Sequence, residues 1–237
     1  MAGWLYLLNA DESTVAVVVP VYNEAEILPE MIARLSEMGL DELVFVDGRS
    51  SDESELILMN SGLKWMTSEQ GRARQMNAGA SGCTSDILVF IHADTRFSSS
   101  CLTSMKRALE EPAIVGGRFD VRLSGDSFFF RLIEHFINLR SRISKISTGD
   151  QCIFVRRALF EKMGGFAELP LMEDVEFSKR LKREGVIACM KEKVVTSSRR
   201  WEKKGIVRTI LLMWKLRFLY WAGTSPERLA ELYRYAR

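Results

Sequence analysis

Residues 14–22 read TVAVVVPVY. Only Val, Ala and Pro occur from Val15 to Val21, and polar residues begin at Tyr22, Asn23 and Glu24. An apolar, β-branched run without alternation is the pattern of a strand covered on both faces. Such strands belong to sheets with helices above and below, so this segment already points to an α/β fold. The next stretch, NEAEILPEMIARLSEMG, places Ile27, Leu28, Met31, Ile32 and Leu35 at helical spacing, and Gly39 closes it.

The alternation continues. ELVFVDG (42–48) predicts a second strand ending at Asp47, with Ser51 as cap of a helix starting at Asp52. LKWMTS (63–68) predicts a third strand, and EQGRARQMNAGASG (69–82) a loop and then a helix. ILVFIHAD (87–94) is a fourth buried run, followed by a helix with a serine N-cap in SSSCLTSMKRALEE (98–111). Strand and helix in this rhythm imply right-handed crossovers and a mostly parallel central sheet flanked by helices. Ligands of such sheets sit beyond the carboxyl ends of the strands. Three of those ends are polar here: Tyr22 to Glu24, Asp47, and His92 with Asp94.

The second half is less regular. AIVGGRFDVRLS (113–124) reads as a strand bent at Gly116-Gly117, and SFFFRLIEHFINLRSRIS (127–144) as an aromatic-rich helix. The aromatic helix suits the core, a self-association face or an apolar acceptor such as a lipid. QCIFVRRALFEKMGGF (151–166) reads as a strand and a short helix ended by glycines. EDVEFSKRLKREG (173–185) is a helix with acids in its first turn and bases in its last. VIACMKEKVVTSS (186–198) offers one or two short strands. Without repeats or linkers the chain reads as one domain, 1–237. It divides into a first half, 14–112, a second half, 113–201, and terminal helices, 202–237.

Composition removes several function classes. The 237 residues carry 33 basic and 31 acidic side chains, a net +2, which excludes a general nucleic-acid binder. Four separated cysteines and two histidines argue against a structural zinc site and fit the reduced thiols of a cytoplasmic protein. Residues 4–8 are apolar but too short, and lack the basic start, for a signal peptide. GIVRTILLMWKLRFLYWAG (205–223) is long enough to span a bilayer, but Arg208, Lys215 and Arg217 interrupt it. Lys204, Arg208 and Lys215 share one helical face and Arg217 lies opposite. The stretch either rests on the inner face of a membrane, packs on a partner or second copy, or is buried against its own domain.

Acidic groups gathered at one crevice repel unless a cation or substrate compensates them. Oxygen ligands favour a hard ion, Mg2+ or Mn2+. Taken alone, Asp47 reads equally as a turn cap and Glu173-Asp174 as helix-terminal charge. The ordered set VVVPVYNEAEIL, VFVDGRSSDES, GRARQMNAGA, FIHADT, GGF and MEDVEFSKRLKREG resembles the inverting GT-A glycosyltransferases of family 2, from about Val15 to Trp201. Its His-Ala-Asp segment is most similar to the radical-SAM/selenodomain-associated branch.

That resemblance implies a nucleotide-diphospho-sugar as donor substrate and an acceptor that the sequence does not identify, lipid-linked molecules included. It implies that Pro20, Val21, Tyr22 and Glu24 wall the nucleotide pocket, Asp47 accepts a hydrogen bond from the base and Arg72 faces the nucleotide. Asp94 would bind the divalent metal and Asp174 would be the general base. Arg200 and Trp201 would lie near acceptor and diphosphate, with Glu173 beside the base. Asp150 and Gln151, just before a strand, read equally as acceptor-side residues and as a plain turn. The chain departs from the family twice. His92 stands where an aspartate is usual, which leaves it as a structural residue, a contact to ribose or diphosphate, or a sign of weaker metal binding. Ser197 replaces the glutamine of the family's QxxRW element, which favours single transfer over polymerisation. The opposing reading is a nucleotide-binding scaffold that has lost the chemistry.

Overall fold

The computed structural model describes residue 9, residues 12–199, residue 202 and residues 205–235. Residues 4–8, Arg200, Trp201 and Lys204, which carry expectations above, lie outside them.

β1 (Val15–Val21) is buried at every position. Val15, Val17, Val19 and Val21 pack with Leu28, Met31 and Leu35 of α1 (Leu28–Ser36), Leu58 of α2 (Ser54–Asn60), and Cys101 and Met105 of α4 (Ser99–Ala108). Ala16 and Val18 point the other way. They meet Ala73, Met76 and Ala80 of α3 (Arg72–Ser81), Phe160 of α6 (Arg157–Lys162), and Phe177 and Leu181 of α7 (Glu173–Glu184). Two helical layers on one strand therefore explain the unbroken apolar run. α3 comes closest: a Cβ on Gly79 would stand 2.4 Å from Val18 Cγ1 and 2.9 Å from Val46 Cγ2, so only glycine lets the helix lie this near the sheet.

β2 (Glu42–Asp47), β3 (Lys64–Thr67) and β4 (Ile87–Phe90) extend β1 in parallel. The full order is β3-β2-β1-β4-β7-β6-β8-β5, with β5 (Thr95–Arg96), β6 (Ile114–Leu123), β7 (Ile153–Arg156) and β8 (Val186–Thr196). The sheet is mixed, which corrects the expectation of a mostly parallel one. β7 runs antiparallel between β4 and β6, and β5 antiparallel to β8. After β6 the helix α5 (Phe128–Ser144) is not a crossover that restores direction. The chain returns along β6 the opposite way and fills the gap beside β4. Nor is 186–198 divided into short strands: β8 is one strand of 11 residues along β6, with irregular register at Gly116 and again between Arg118 and Asp120.

Ser51 does not cap α2, which begins at Ser54. Its N–H instead donates to Asn23 Oδ1 at 2.7 Å, and Asp52 accepts the Ala25 N–H at 3.0 Å. The loops after β1 and β2 satisfy each other's polar groups, which fixes the rim above them.

α5 is held against β6 by polar side chains. Asn138 bonds both ways with the Val121 backbone, at 2.9 and 3.1 Å, and Glu134 accepts the Leu123 N–H at 2.6 Å. α8 (Ile206–Trp221) and α9 (Pro226–Tyr235) follow, with Leu216 and Leu229 packed on Met172 and Val175 at the start of α7. Among the described residues no helix is long and apolar enough to cross a membrane.

Glu42 ties the start of β2 to the loop before β4. It accepts the Thr84 and Ser85 N–H groups, both at 2.7 Å, and the Ser85 hydroxyl at 2.7 Å. Burial opposes its ionisation, but the Ser85 and Thr84 bonds outweigh it and hold the carboxyl down to about 2. The folded value lies below the unfolded one, so this stabilisation is complete above about pH 4.5 and lost as pH falls through 2. The shift corresponds to about 3 kcal/mol, which solvent screening reduces to about 1–2 kcal/mol. Glu42→Gln should show that loss in urea unfolding at neutral pH and match the parent chain close to pH 2.

Candidate active site

A cavity of about 1000 Å³ opens beyond the carboxyl ends of β1 and β4. The sequence predicted ligands at this edge, and the sheet brings many of the named residues together there. Pro20, Val21, Tyr22 and Glu24 line one side, and Arg72 enters from the start of α3. His92 and Asp94 follow β4, while Asp150 and Glu173 come from the second half of the chain.

Hydrogen bonds set the floor. Gln75 donates to the carbonyls of Val21 at 2.7 Å and Val46 at 2.9 Å, locking the ends of β1 and β2. Asp47 lies behind this lock, fully buried. Its Oδ2 accepts the Ser50 N–H at 2.9 Å and its Oδ1 the Ser50 hydroxyl at 2.6 Å, so it closes the turn after β2. A base would reach Asp47 only if Ser50 turned away.

Asp94 is exposed, with long contacts from the hydroxyls of Thr95 at 3.4 Å and Thr196 at 3.5 Å. Glu24 faces it across the crevice. Burial first, then the charge of Asp94, pushes the Glu24 carboxyl above its ordinary value. The charges of Arg199 and Arg72 offset this only in part, and a cation would relieve the rest. Among the described residues no group of three His, Cys, Asp or Glu side chains could hold a metal by itself. The side chains fit an ion of the Mg2+ type, which takes one or two carboxylates and completes its shell with substrate phosphate and water.

His92 does not turn toward Asp94. Its Nδ1 lies 3.5 Å from Asp150 Oδ1, and its ring rests on Gly149 so closely that a Cβ there would meet it at 2.3 Å. Gly149 opens a 3-10 turn (Gly149–Gln151) with a capping box between Thr148 and Gln151. Gln151 is fully buried in that box, behind the cavity wall. The Gly149 N–H donates to Asp174 Oδ2 at 2.8 Å, and Asp174 Oδ1 accepts the Val175 N–H at 2.7 Å. Contacts thus run from the end of β4 through His92 and Gly149 to Asp174.

Glu173, only 5% exposed, forms the wall that Asp174 backs. Burial and then Asp174 push its carboxyl up, while Arg72 pulls the other way. Burial would lower the Arg72 guanidinium, but the charge of Glu173, with smaller contributions from Tyr233, Asp150 and Asp174, holds it above its ordinary value.

The sequence reading missed the far wall. Arg140 of α5 and Arg217 of α8 both reach the cavity. Burial, then repulsion from Arg217, brings the Arg140 guanidinium down to about 9. Burial likewise lowers Arg217, against the pull of Asp174 and Asp150. A signal was present in Arg217, which stands apart from the other bases of its helix.

The architecture has solved counterparts. Residues 1–349 of S. aureus TarS in complex with UDP-GlcNAc superpose with a TM-score of 0.61 at 19% identity, over 78% of this chain and 58% of that one. The complex of the same protein with UDP gives 0.63 at 19%, over 84% and 65%. These likenesses define the class of fold, a GT-A-like mixed sheet with helices on both faces. The family follows from the sequence itself: residues 16–164 match the model of glycosyl transferase family 2, and the chain belongs to that family. A 93-residue segment is 37% identical to the undecaprenyl-phosphate 4-deoxy-4-formamido-L-arabinose transferase of Enterobacter sp. (strain 638). It covers 34% of this chain and 28% of that protein, so the chain spans well under two thirds of its relative's length.

Proposed function

We propose that this chain transfers a sugar, with inversion, from a nucleotide-diphospho-sugar to an acceptor hydroxyl. The observation that carries the reading is the single cavity in which Asp94, Arg72 and Glu173, backed by Asp174, stand together at the strand ends. The nucleotide lies along Pro20, Val21, Tyr22 and Glu24, with Arg72 near its phosphates and Asp47 available to the base once Ser50 moves. The acceptor oxygen attacks the anomeric carbon, a new C–O bond forms, and the C–O bond to the diphosphate breaks with its electron pair. The hydroxyl proton passes to Asp174, directly or along the wall made by Glu173. A divalent cation held by Asp94 and the donor's phosphates would offset the charge of the leaving diphosphate. Residues 14–112 bind the donor, 113–201 supply base and acceptor side, and the C-terminal helices α8 and α9 add lining residues from Ile206 to Tyr233. The His92-Ala93-Asp94 segment is the ground for placing the chain in the radical-SAM/selenodomain-associated branch.

Thermal melting with UDP-, GDP- and dTDP-sugars, with and without Mn2+, tests this. UDP-sugars come first because TarS, of the same fold, has been crystallised with UDP-GlcNAc. At about one hundred times Kd a true donor adds about 2.7 kcal/mol, or roughly 5–10 °C at this length. Mn2+ alone should move the midpoint little, and Mn2+ with the right donor most, because the ion shares its ligands with the phosphates. A full panel without any shift would overturn the reading.

A further inference from the structure

The cavity does not end at the donor site. It continues as a groove between α5 and α8, and the two helices line it in the same pattern. On α5 the stripe is Phe129, Leu132, Ile133, Phe136 and Ile137, then Arg140. On α8 it is Ile206, Thr209, Ile210, Met213 and Trp214, then Arg217. Each stripe follows the i, i+3, i+4, i+7, i+8 face of a helix and terminates on an arginine at i+11. The leading turns touch, because Phe130 and Ile133 pack with Ile206 and Ile210. The far ends approach as well, where Arg217 depresses Arg140. The helices therefore run side by side in the same sense. They enclose an apolar trough of roughly 16 Å, at 1.5 Å per residue, with two guanidinium groups at its closed end.

Both parts of the trough are costly without an occupant. Phe136 is 57% and Trp214 67% exposed, and the apolar surface continues outward over Phe128, Ile143, Phe218 and Trp221. Contiguous apolar surface of this kind marks a binding surface. At the closed end, Nε and Nη2 of Arg140 are shut off from solvent and have no hydrogen-bond partner among the described residues. Two like charges partly desolvated are unfavourable, and the charges of Asp174 and Asp150 offset this only in part, because burial still lowers both guanidinium groups. The planar guanidinium matches phosphate oxygens in a fork.

We infer that the trough holds the acceptor, an amphiphile whose hydrocarbon chain lies between α5 and α8 and whose phosphate sits between Arg140 and Arg217. This rests on the transferase reading and names the substrate class of the same site. The attacking hydroxyl is carried beyond the phosphate, toward Asp174, whose charge reaches both guanidinium groups. The exposed apolar rim then rests on the membrane surface from which such a lipid is drawn, without crossing it.

The test measures binding of dodecyl phosphate, dodecanol and inorganic phosphate to the full chain by equilibrium dialysis. Dodecyl phosphate should bind at least about tenfold tighter than either single-feature probe, the range of charge-assisted hydrogen bonds. Arg140→Gln and Arg217→Gln should each weaken dodecyl phosphate by about tenfold and leave dodecanol unchanged. Both variants should keep the melting temperature, since burial disfavours the charge of each guanidinium. Equal binding of the alcohol and the phosphate, or arginine variants without effect, overturns the inference. So does a loss of nucleoside diphosphate binding in those variants, which would assign the arginines to the donor. Nucleoside diphosphate binding by the parent chain separates the two readings. If it is present without dodecyl phosphate binding, only the acceptor inference fails. If it is absent with dodecyl phosphate bound, only the donor reading fails.

Discussion

Asp174→Asn is expected to lower transfer by roughly a hundred- to ten-thousand-fold, the usual worth of a positioned general base, while the donor still binds. The substitution keeps the shape and one oxygen, which can serve the Gly149 N–H and hold the 3-10 turn while the bond from the Val175 N–H is given up. What goes is the ability to take the proton from an attacking hydroxyl. Glu173 is the competing candidate because it forms the cavity wall in front of Asp174. Its burial and the adjacent Asp174 push it toward the protonated form, which suits a base less well. Glu173→Gln should therefore cost less than Asp174→Asn when both are compared by single-turnover transfer at saturating donor. The opposite order would move the base to Glu173. Full activity in Asp174→Asn would remove it from the chemistry.

Much of this was legible in the sequence because it depends on local pattern. A strand buried on two faces must be apolar throughout, so Val15–Val21 declared both the strand and the helical layers around it. Carboxyl ends of such strands are where backbone direction leaves room for ligands, so Tyr22, Glu24, His92 and Asp94 could be assigned to one crevice before any geometry was known. Direction within the second half was not legible. Nothing in QCIFVRRALF states that β7 enters antiparallel, because its four buried residues would serve either orientation. The side-chain partner of Asp47 was also hidden. A carboxylate at a strand end can face ligand or close a turn, and Ser50 decides the matter three residues later. The arginine pair needed the tertiary structure most. Arg140 and Arg217 are 77 positions apart, and only the docking of α8 on α5 turns two helical charges into one site.

Gly149→Ala should have the second large effect, although residue 149 carries no functional side chain. The added methyl would lie 2.3 Å from Cε1 and Nε2 of His92, too near for the ring to stay. The ring has little room to withdraw, because Asp150 lies 3.5 Å from its Nδ1 and its backbone is held by the Ile91 N–H on the Val18 carbonyl and the Thr95 N–H on its own carbonyl. The turn must move instead, and the Gly149 N–H that holds Asp174 Oδ2 moves with it. A displacement of about 1 Å at a reacting group costs on the order of a hundredfold. Gly149→Ala is therefore expected to lower kcat by about that factor, with donor KM changed little, since the nucleotide wall of Pro20 to Tyr22 is built on β1. The companion variant is His92→Ala in the same chain, which empties the space the methyl needs. If the loss runs through the ring, the double variant recovers part of the activity and the two substitutions are non-additive. A double variant no better than Gly149→Ala would mean that His92 itself takes part in the reaction. It would then be more than a brace between the end of β4 and Asp174, and the histidine of the His-Ala-Asp segment would need a chemical role instead of a positional one.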